Sequence, residues 1–316
     1  MSPRLRTLLR RPAFGPLVAL VVTYAIFVVL APDTFARASN LVTMARQTVV
    51  VAIASVGMTF VIIQGGIDLS VGSAVAMTTV VVASLLRSGV GSTAAALTGI
   101  LAAACVGLVI GLFITSLRLA PFIVTLGAMS ILRGAAKGIA HDQKIDADPG
   151  ILEALLAPSR ALVPPGVWIA VAVAAAGAVV LHYTRFGRYV YAIGSSEKAA
   201  RLCGVPLGRT KILVYVAAGA LSGLAGVMEF STLTVGDPTD SIGLELEVIA
   251  AVVIGGASLA GGEGSIAGSM AGACLMTVIR TGATHIGLPS WVQEIVTGGI
   301  IVVAVALDRL RQKKRG

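Results

Sequence analysis

Charge is scarce in this sequence. Asp, Glu, Lys and Arg make up 12% of its 316 residues, against about 25% in soluble domains. With 56% apolar residues and a mean hydropathy of +0.94, that deficit places the chain in a bilayer and leaves little for a soluble domain. Catalytic patterns are missing as well. No G-x-x-x-x-G-K-[ST] run occurs, so the chain cannot cradle ATP phosphates in a P-loop. Gly262-Glu263-Gly264 leads to no ribose-binding acid and no βαβ pattern. His141, His182 and His285 are isolated, with no H-E-x-x-H and no Cys/His cluster. Cys105, Cys203 and Cys274 lie far apart, make no metal spacing and no expected disulfide, and read as small buried hydrophobes. The expectation is a chain without an active site, a metal or a bound cofactor.

What is present is a series of apolar runs. At about 20 residues per span, ten are expected: 14–30, 44–63, 70–86, 93–115, 121–140, 164–182, 211–230, 244–260, 264–285 and 291–307. Several are short or broken by glycine. An even number puts both termini on one side. The basic residues agree: Arg4, Arg6, Arg10 and Arg11 precede the first run, and Arg309, Arg311, Lys313, Lys314 and Arg315 close the chain. Six more lie in 183–211, so three segments carry the positive-inside signature. The +9 net charge therefore reports topology and not nucleic-acid binding. The expected fold is an all-α polytopic membrane protein, one transmembrane domain over 1–316, with N- and C-termini cytoplasmic. Ala36-Arg37-Ala38 resembles a signal cleavage site, but a retained first span is the preferred reading because a second run follows at once. Segments 141–163 and 231–243 fall outside, and the outer face is relatively acidic through Asp142, Asp146, Asp148, Glu153, Asp237 and Asp240, with Glu245 and Glu247 opening the next span. Ordinary solvated loops and a surface for a basic extracytoplasmic partner are both open.

The segment Tyr183–Lys211 is not apolar enough for a membrane. A very short helix is expected in its middle, over 197–203. Ser195 and Ser196 offer hydroxyls to a first turn, and Glu197 suits the positive end of the helix dipole. Lys198, Ala199, Ala200, Arg201 and Leu202 form the body, and Gly204 fits a left-handed C-cap with Pro206 beyond it. At about two turns it is too short to hold itself in water, which points to a soluble partner docking there.

Glycine is placed with a pattern. Gly264, Gly268 and Gly272 recur every four residues, as do Gly219 and Gly223, and such faces let helices approach closely. Val61–Leu69 and Val252–Leu259 look alike, each a run broken at a glycine pair, Gly65-Gly66 or Gly255-Gly256. Paired breaks of this kind often flank a transporter's substrate path. Asp68 is an acid in the first break and, with Ser70 and Ser73, is placed either to cap the next helix or to line a path. Gln64 could reach a hydroxyl or an interhelical partner. Arg133 and Lys137 are expected to snorkel to headgroups, and Glu229 to meet water at the end of its span.

Taken together, Val61–Ser73 (V-I-I-Q-G-G-I-D-L-S-V-G-S), Leu119–Ala135, Gly187–Gly204, Leu244–Gly264 and Ala304–Arg311 (A-V-A-L-D-R-L-R) resemble the permease subunits of bacterial ABC importers for monosaccharides, the ribose/xylose/arabinose/autoinducer-2 type. The resemblance covers about residues 40–311. It implies a pair of permeases, a second copy or a sister chain, in the inner membrane. It also implies two cytoplasmic ATP-binding subunits that use ATP and Mg, and a periplasmic or lipid-anchored sugar-binding protein. By motif match Ser195–Gly204 would contact the ATPase, while Gly65, Gly66, Asp68, Ser70 and Ser73 would lie near the translocation path. Two departures stand out. The family usually has Asn at Ser196, where a capping oxygen survives, and a small residue such as Thr at Gln64, which could alter which sugar passes. Permeases for nucleosides or branched-chain amino acids share this architecture and are the alternative. An ion-coupled carrier would want buried acids in several spans, and only Asp68, with Glu229 in addition, qualifies.

Overall fold

The structure, a computed structural model, describes residues 14–156 and 163–313. Arg4, Arg6, Arg10, Arg11, Lys314 and Arg315, used above, lie outside the described residues. The remainder is almost entirely helical: α1 (Phe14–Leu30), α2 (Ala38–Ile63), α3 (Val71–Arg87), α4 (Ser92–Ser116), α5 (Pro121–Ala140), α6 (Pro165–Tyr183), α7 (Arg185–Ser195), α8 (Glu197–Leu202), α9 (Leu207–Leu233), α10 (Leu244–Ile254), α11 (Ile266–His285) and α12 (Ser290–Lys313). Two short strands, β1 (Ile145–Asp146) and β2 (Val235–Gly236), pair antiparallel, and a 3₁₀ turn covers Gly150–Leu155.

Six of these helices, α2, α4, α5, α6, α9 and α11, are long and apolar enough to cross a membrane, and α1, α3 and the stretch Ser290–Ala306 are shorter apolar helices. The run at 244–260 behaves differently from expectation. Its helix stops at Ile254 after 11 residues, about 16 Å at 1.5 Å per residue, roughly half a bilayer core. The cause is local. Gly256 takes φ +94, and its N–H and that of Ala257 bond back to the carbonyls of Val253 and Val252 at 2.9 and 3.1 Å. The end of α2 is closed in the same way. Gly65 has φ +83, with Gly65 and Gly66 N–H bonded to Ile62 and Val61 carbonyls, both at 2.9 Å. Both are two-bond glycine caps of the same type, so the sequence echo between Val61 and Val252 is an echo of structure.

Close contacts fix the course of the chain. Gly66 meets the hydroxyl end of the Tyr215 side chain from α9, whereas Val75 and Thr78 meet α9 at Gly226, about three turns further along that helix. The chain from 66 through the first turns of α3 therefore climbs back into the bundle. A second segment does the reverse: Gly236 lies against Thr79–Ala83, and Ser241–Glu245 lie against Gly72. Residues 235–243 thus descend beside α3 and deliver the start of α10 to the start of α3. Tight packing elsewhere uses other glycines. Gly219 and Gly223 take the backbone of α4 at Ala103 and Ile100, and Gly268 and Gly272 take the backbone at Gly255 and Ala251. Gly264 precedes α11 in the break, near Ile63 and Ala257, and does not share their helical face. α1 is held on α11, with the Phe27 ring over Gly282. Phe35 is buried between the rings of Tyr24, Phe27 and His285, 5.4–5.6 Å between centroids.

The cysteines are not the buried hydrophobes expected. Cys105 and Cys203 are exposed and Cys274 is half-buried. Position 105 on the outer surface of α4 is suited by an apolar bilayer just as a core would suit it.

Candidate functional site

One end of the bundle opens into a cavity of about 580 Å³. Four elements line it, each through a single face. From α2 come Asn40, Thr43, Arg46, Gln47, Val50 and Val51. Thr277, Arg280, Thr281, Thr284 and His285 come from α11, and Glu229 and Thr232 from α9; the descending segment and the first turns of α10 add Asp240, Ser241, Ile242, Leu244 and Glu247. Residues three and four apart share a helix face, so each set follows from helical spacing. Only Val50, Val51, Ile242 and Leu244 among them are apolar, which makes this a polar chamber within an apolar bundle.

The chamber's walls are cross-linked. Thr281 Oγ1 donates to Gln47 Oε1 at 3.0 Å, and His285 Nε2 lies 3.1 Å from Asn40 Oδ1. Asn40 Nδ2 donates to the Phe35 carbonyl at 2.8 Å. Deeper along the same pair of helices, Thr59 donates to Ser269 at 2.7 Å. Arg280 pairs with Glu247 at 3.5 Å across the opening. Glu229 does not simply end its span in water, as expected; it is part of the wall.

Arg133 corrects another expectation. Its guanidinium does not snorkel to headgroups but donates to the carbonyls of Asp240 (2.6 Å) and Pro238 (3.0 Å). The descending segment has almost no backbone ladder of its own, so a fixed cation satisfies carbonyls that water cannot easily reach. Bonds to a charged donor are worth about 1.5–3 kcal/mol each. Arg133→Met is expected to lower initial uptake at least tenfold while leaving the amount of inserted protein within twofold; Arg133→Lys, which restores one donor, should recover part of it. Asp237 ties the same segment to the outer surface. It accepts from Thr239 N and Oγ1 at 2.8 and 2.7 Å and pairs with Lys144 at 2.9 Å, next to the β1–β2 pair. Burial works to raise its pKa, but the bonds from Thr239 and Lys144 outweigh it and hold the carboxyl below its ordinary 3.8. A depressed carboxylate stabilises the fold above its ordinary range and loses that contribution only as pH falls through the lowered value. Protease protection of 141–156 should therefore persist to below about pH 4 and then drop. In Asp237→Asn protection should be weaker throughout, with no such step.

At the other end, α2 carries the chain from Val51 in the chamber wall to Ile63, about 18 Å away. The residues singled out in the first break lie here and not in the chamber. Asp68 is buried and accepts from Ser70 N at 2.8 Å and Ser70 Oγ at 2.6 Å, a cap on the turn that opens α3. Ser70 itself makes no side-chain cap bond. Among the described residues the buried Ser73 Oγ has no hydrogen-bond partner; Gln64 is buried nearby, and the Tyr215 hydroxyl lies over Gly66, where a Cβ would meet it. In the second break Ser258 Oγ accepts from Ala260 N at 3.2 Å, as Asp68 does two residues ahead of its own partner, and Asp308 of α12 reaches Ser258 and Leu259.

The two breaks are joined to each other and to 183–211. Gly262 N–H donates to the Ile63 carbonyl at 2.8 Å. The backbone of Gly194 sits against Ile63 and Gly262, and Gly262 against Ser195. Tyr191 donates to the Gly264 carbonyl at 2.7 Å, and Phe186 packs on Phe60 at 6.2 Å. These contacts come from α7, an 11-residue amphipathic helix where a loop was expected: Thr184 caps it, and Gly187, Val190 and Ile193 face inward. Gly194 itself was missed, its signal being a single small residue before two serines.

The short helix then follows as α8. Ser196 accepts from Ala199 N at 3.3 Å, while Ser195 is the last residue of α7. Gly204 has φ +77, and Val205 N–H returns to the Ala200 carbonyl at 3.0 Å. Glu197 reaches Lys211 at 2.7 Å on the first turns of α9 and Arg201 at 3.8 Å. Ala200 is buried under the helix; Lys198, Arg201 and Leu202 face out, Leu202 at 89% exposure.

A helical bundle with a polar chamber at one end and a clamped, protruding helix at the other is built to pass a solute, not to transform one; this is a multi-pass membrane permease subunit and not an enzyme. More narrowly, the chain belongs to the family described as branched-chain amino acid transport system / permease component, whose model matches residues 40–305. It is 40% identical over 300 residues to the ribose import permease protein RbsC of Escherichia coli (strain K12), covering 94% of this chain and 93% of that protein. The ribose import permease protein of Bacillus subtilis (strain 168) is 37% identical over 307 residues, 93% and 92% of the two chains. The L-arabinose transport system permease protein AraH of Escherichia coli (strain K12) is 35% identical over 302 residues, 96% and 92%. No solved structure matches the chain.

Proposed function

We propose that this chain is the translocating subunit of an ATP-driven importer for a monosaccharide, set in the inner membrane of a bacterium. The observation that carries the reading is the joint at Gly194. Anything that moves α7 and α8 bears at once on both glycine breaks, through Ile63 and Gly262. Two soluble ATP-binding subunits, holding the ATP and Mg that this chain does not, would dock on Ser195–Gly204 and close on binding nucleotide. The breaks pass that displacement to α2 and to α10–α11, the helices that wall the chamber. A periplasmic or lipid-anchored receptor would deliver sugar at the chamber mouth, near 141–156 and 235–243. A second copy or a sister permease completes the pair. Residues 1–316 act as one transmembrane domain.

Ten crossings fit this reading even though α10 is half-length. Residues 239–243 and the 11 residues of α10 together make one crossing, an extended half followed by a helical half. Both termini and 183–211 then lie in the cytoplasm. Gln64, Gly65, Gly66, Asp68, Ser70 and Ser73 line the inner part of the path, past the chamber floor. The names of the relatives favour a pentose, and the chamber supports that over a branched-chain amino acid. Four apolar side chains among the lining set are a poor match for a Leu or Val side chain, whereas polar hydroxyls and amides suit a polyol. The test is uptake into proteoliposomes holding the permease, its ATPase and its receptor. Ribose or arabinose should accumulate only with all three and ATP. Accumulation driven by an ion gradient with no ATPase, or of leucine in preference to sugar, would refute the reading.

A further inference from the structure

We infer that the chamber is itself a sugar-binding site of low affinity, a selectivity filter within the permease additional to the receptor. The inference rests on the importer reading above. Its first support is chemistry. Monosaccharide hydroxyls each donate and accept, and the wall presents both functions side by side: carboxylate acceptors on Asp240 and Glu247, guanidinium donors on Arg280, and the Gln47–Thr281 pair. Arg280 and Glu247 stand 3.5 Å apart, a long ion pair whose two heads can take up two neighbouring hydroxyls with charge-assisted bonds. Because Arg280 is already matched by Glu247, a neutral polyol leaves the pair's charge balance intact. A phosphate or carboxylate would compete with Glu247 for that guanidinium and set like charges against each other.

The second support is size and surface. A cavity of 580 Å³ holds the equivalent of roughly twenty waters at ~30 Å³ each, enough for a pentose or hexose ring with part of its hydration. No Phe, Tyr or Trp is among the described residues that line it, so these residues offer the ring no Phe, Tyr or Trp face to stack on. Binding should be weak, with Kd of about 1 mM or above. Weakness is what a pathway needs, since a solute must leave as readily as it enters.

The experiment places the permease–ATPase complex in lipid nanodiscs without receptor and follows ribose by saturation-transfer difference NMR. Expected are saturable millimolar binding, competition by arabinose, and at least tenfold weaker binding of ribose 5-phosphate. Glu247→Gln and Arg280→Gln should each weaken ribose at least fivefold; Gln47→Ala, which disturbs no charge, should weaken it severalfold should either charge variant fail to assemble. Lack of saturable binding alongside normal receptor-driven uptake would overturn the filter and leave the importer standing. Ribose 5-phosphate binding as well as ribose would overturn the neutral-ligand assignment. Failure of the complete system to import any sugar would bring down both.

Discussion

Gly194→Ala is expected to reduce ATP-driven uptake to under 5% of wild type. A Cβ at that position would stand against the Ile63 carbonyl oxygen and the Gly262 amide, both backbone atoms. Neither can rotate away as a side chain could. The Gly262 N–H to Ile63 carbonyl bond at 2.8 Å would have to yield, and with it the contact between the two breaks. Overpacking of this kind typically costs 1–3 kcal/mol, small enough for the helical bundle to insert and large enough to open the joint. The discriminating measurement pairs transport with ATP hydrolysis. The variant should reach the membrane at normal abundance and retain basal hydrolysis, yet hydrolysis should no longer respond to receptor and sugar. Preserved stimulation and preserved uptake together would show that 194 is not part of the coupling route.

Leu202→Asp should separate the permease from its ATPase. Leu202 is 89% exposed on a two-turn helix held at both ends, and none of the described residues covers it. An apolar side chain presented on so rigid a support is the profile of an interface anchor, whose truncation or charging costs 2 kcal/mol or more, about 30-fold in affinity. Co-purification of the ATPase should fall by that order and uptake with it, while the chamber at the other end of the bundle is unaffected. Arg201→Glu, which inverts the sign of a neighbouring exposed charge and sets it against Glu197, should act in the same direction more mildly. Unaltered co-purification in Leu202→Asp would place the docking surface elsewhere.

The two ends of the molecule were unequally legible. α8 could be read because every feature that defines it is local: Ser196, Glu197 and Gly204 act within a turn of the helix they bound. The twin breaks could be read for the same reason, since Gly65-Gly66 and Gly256-Ala257 close their helices with bonds to residues three and five positions back. Hydropathy overreached at 244–260 because an average over a window is blind to one left-handed glycine. α7 escaped because an amphipathic helix in a basic stretch has the composition of a loop; its pattern, Gly187, Val190 and Ile193 inward, emerges only once there is a bundle to be inward of. Arg133 was misread because a lone cation near the end of a span usually meets headgroups, and nothing near it in the chain announces Asp240, 107 positions away.

By itself, the sequence determined that this is a membrane-embedded permease, that most of it is helical, and where the locally marked helix ends at 65, 196 and 204 fall. Those properties sum along the chain, residue by residue or over a single turn. Only the tertiary structure decided that Asn40, Glu229, Glu247 and Arg280 share one chamber, that 235–243 descends to meet α3, and that Gly194 touches both breaks. Such juxtapositions depend on how whole helices are stacked, and distance in space between helices is not a function of distance along the chain.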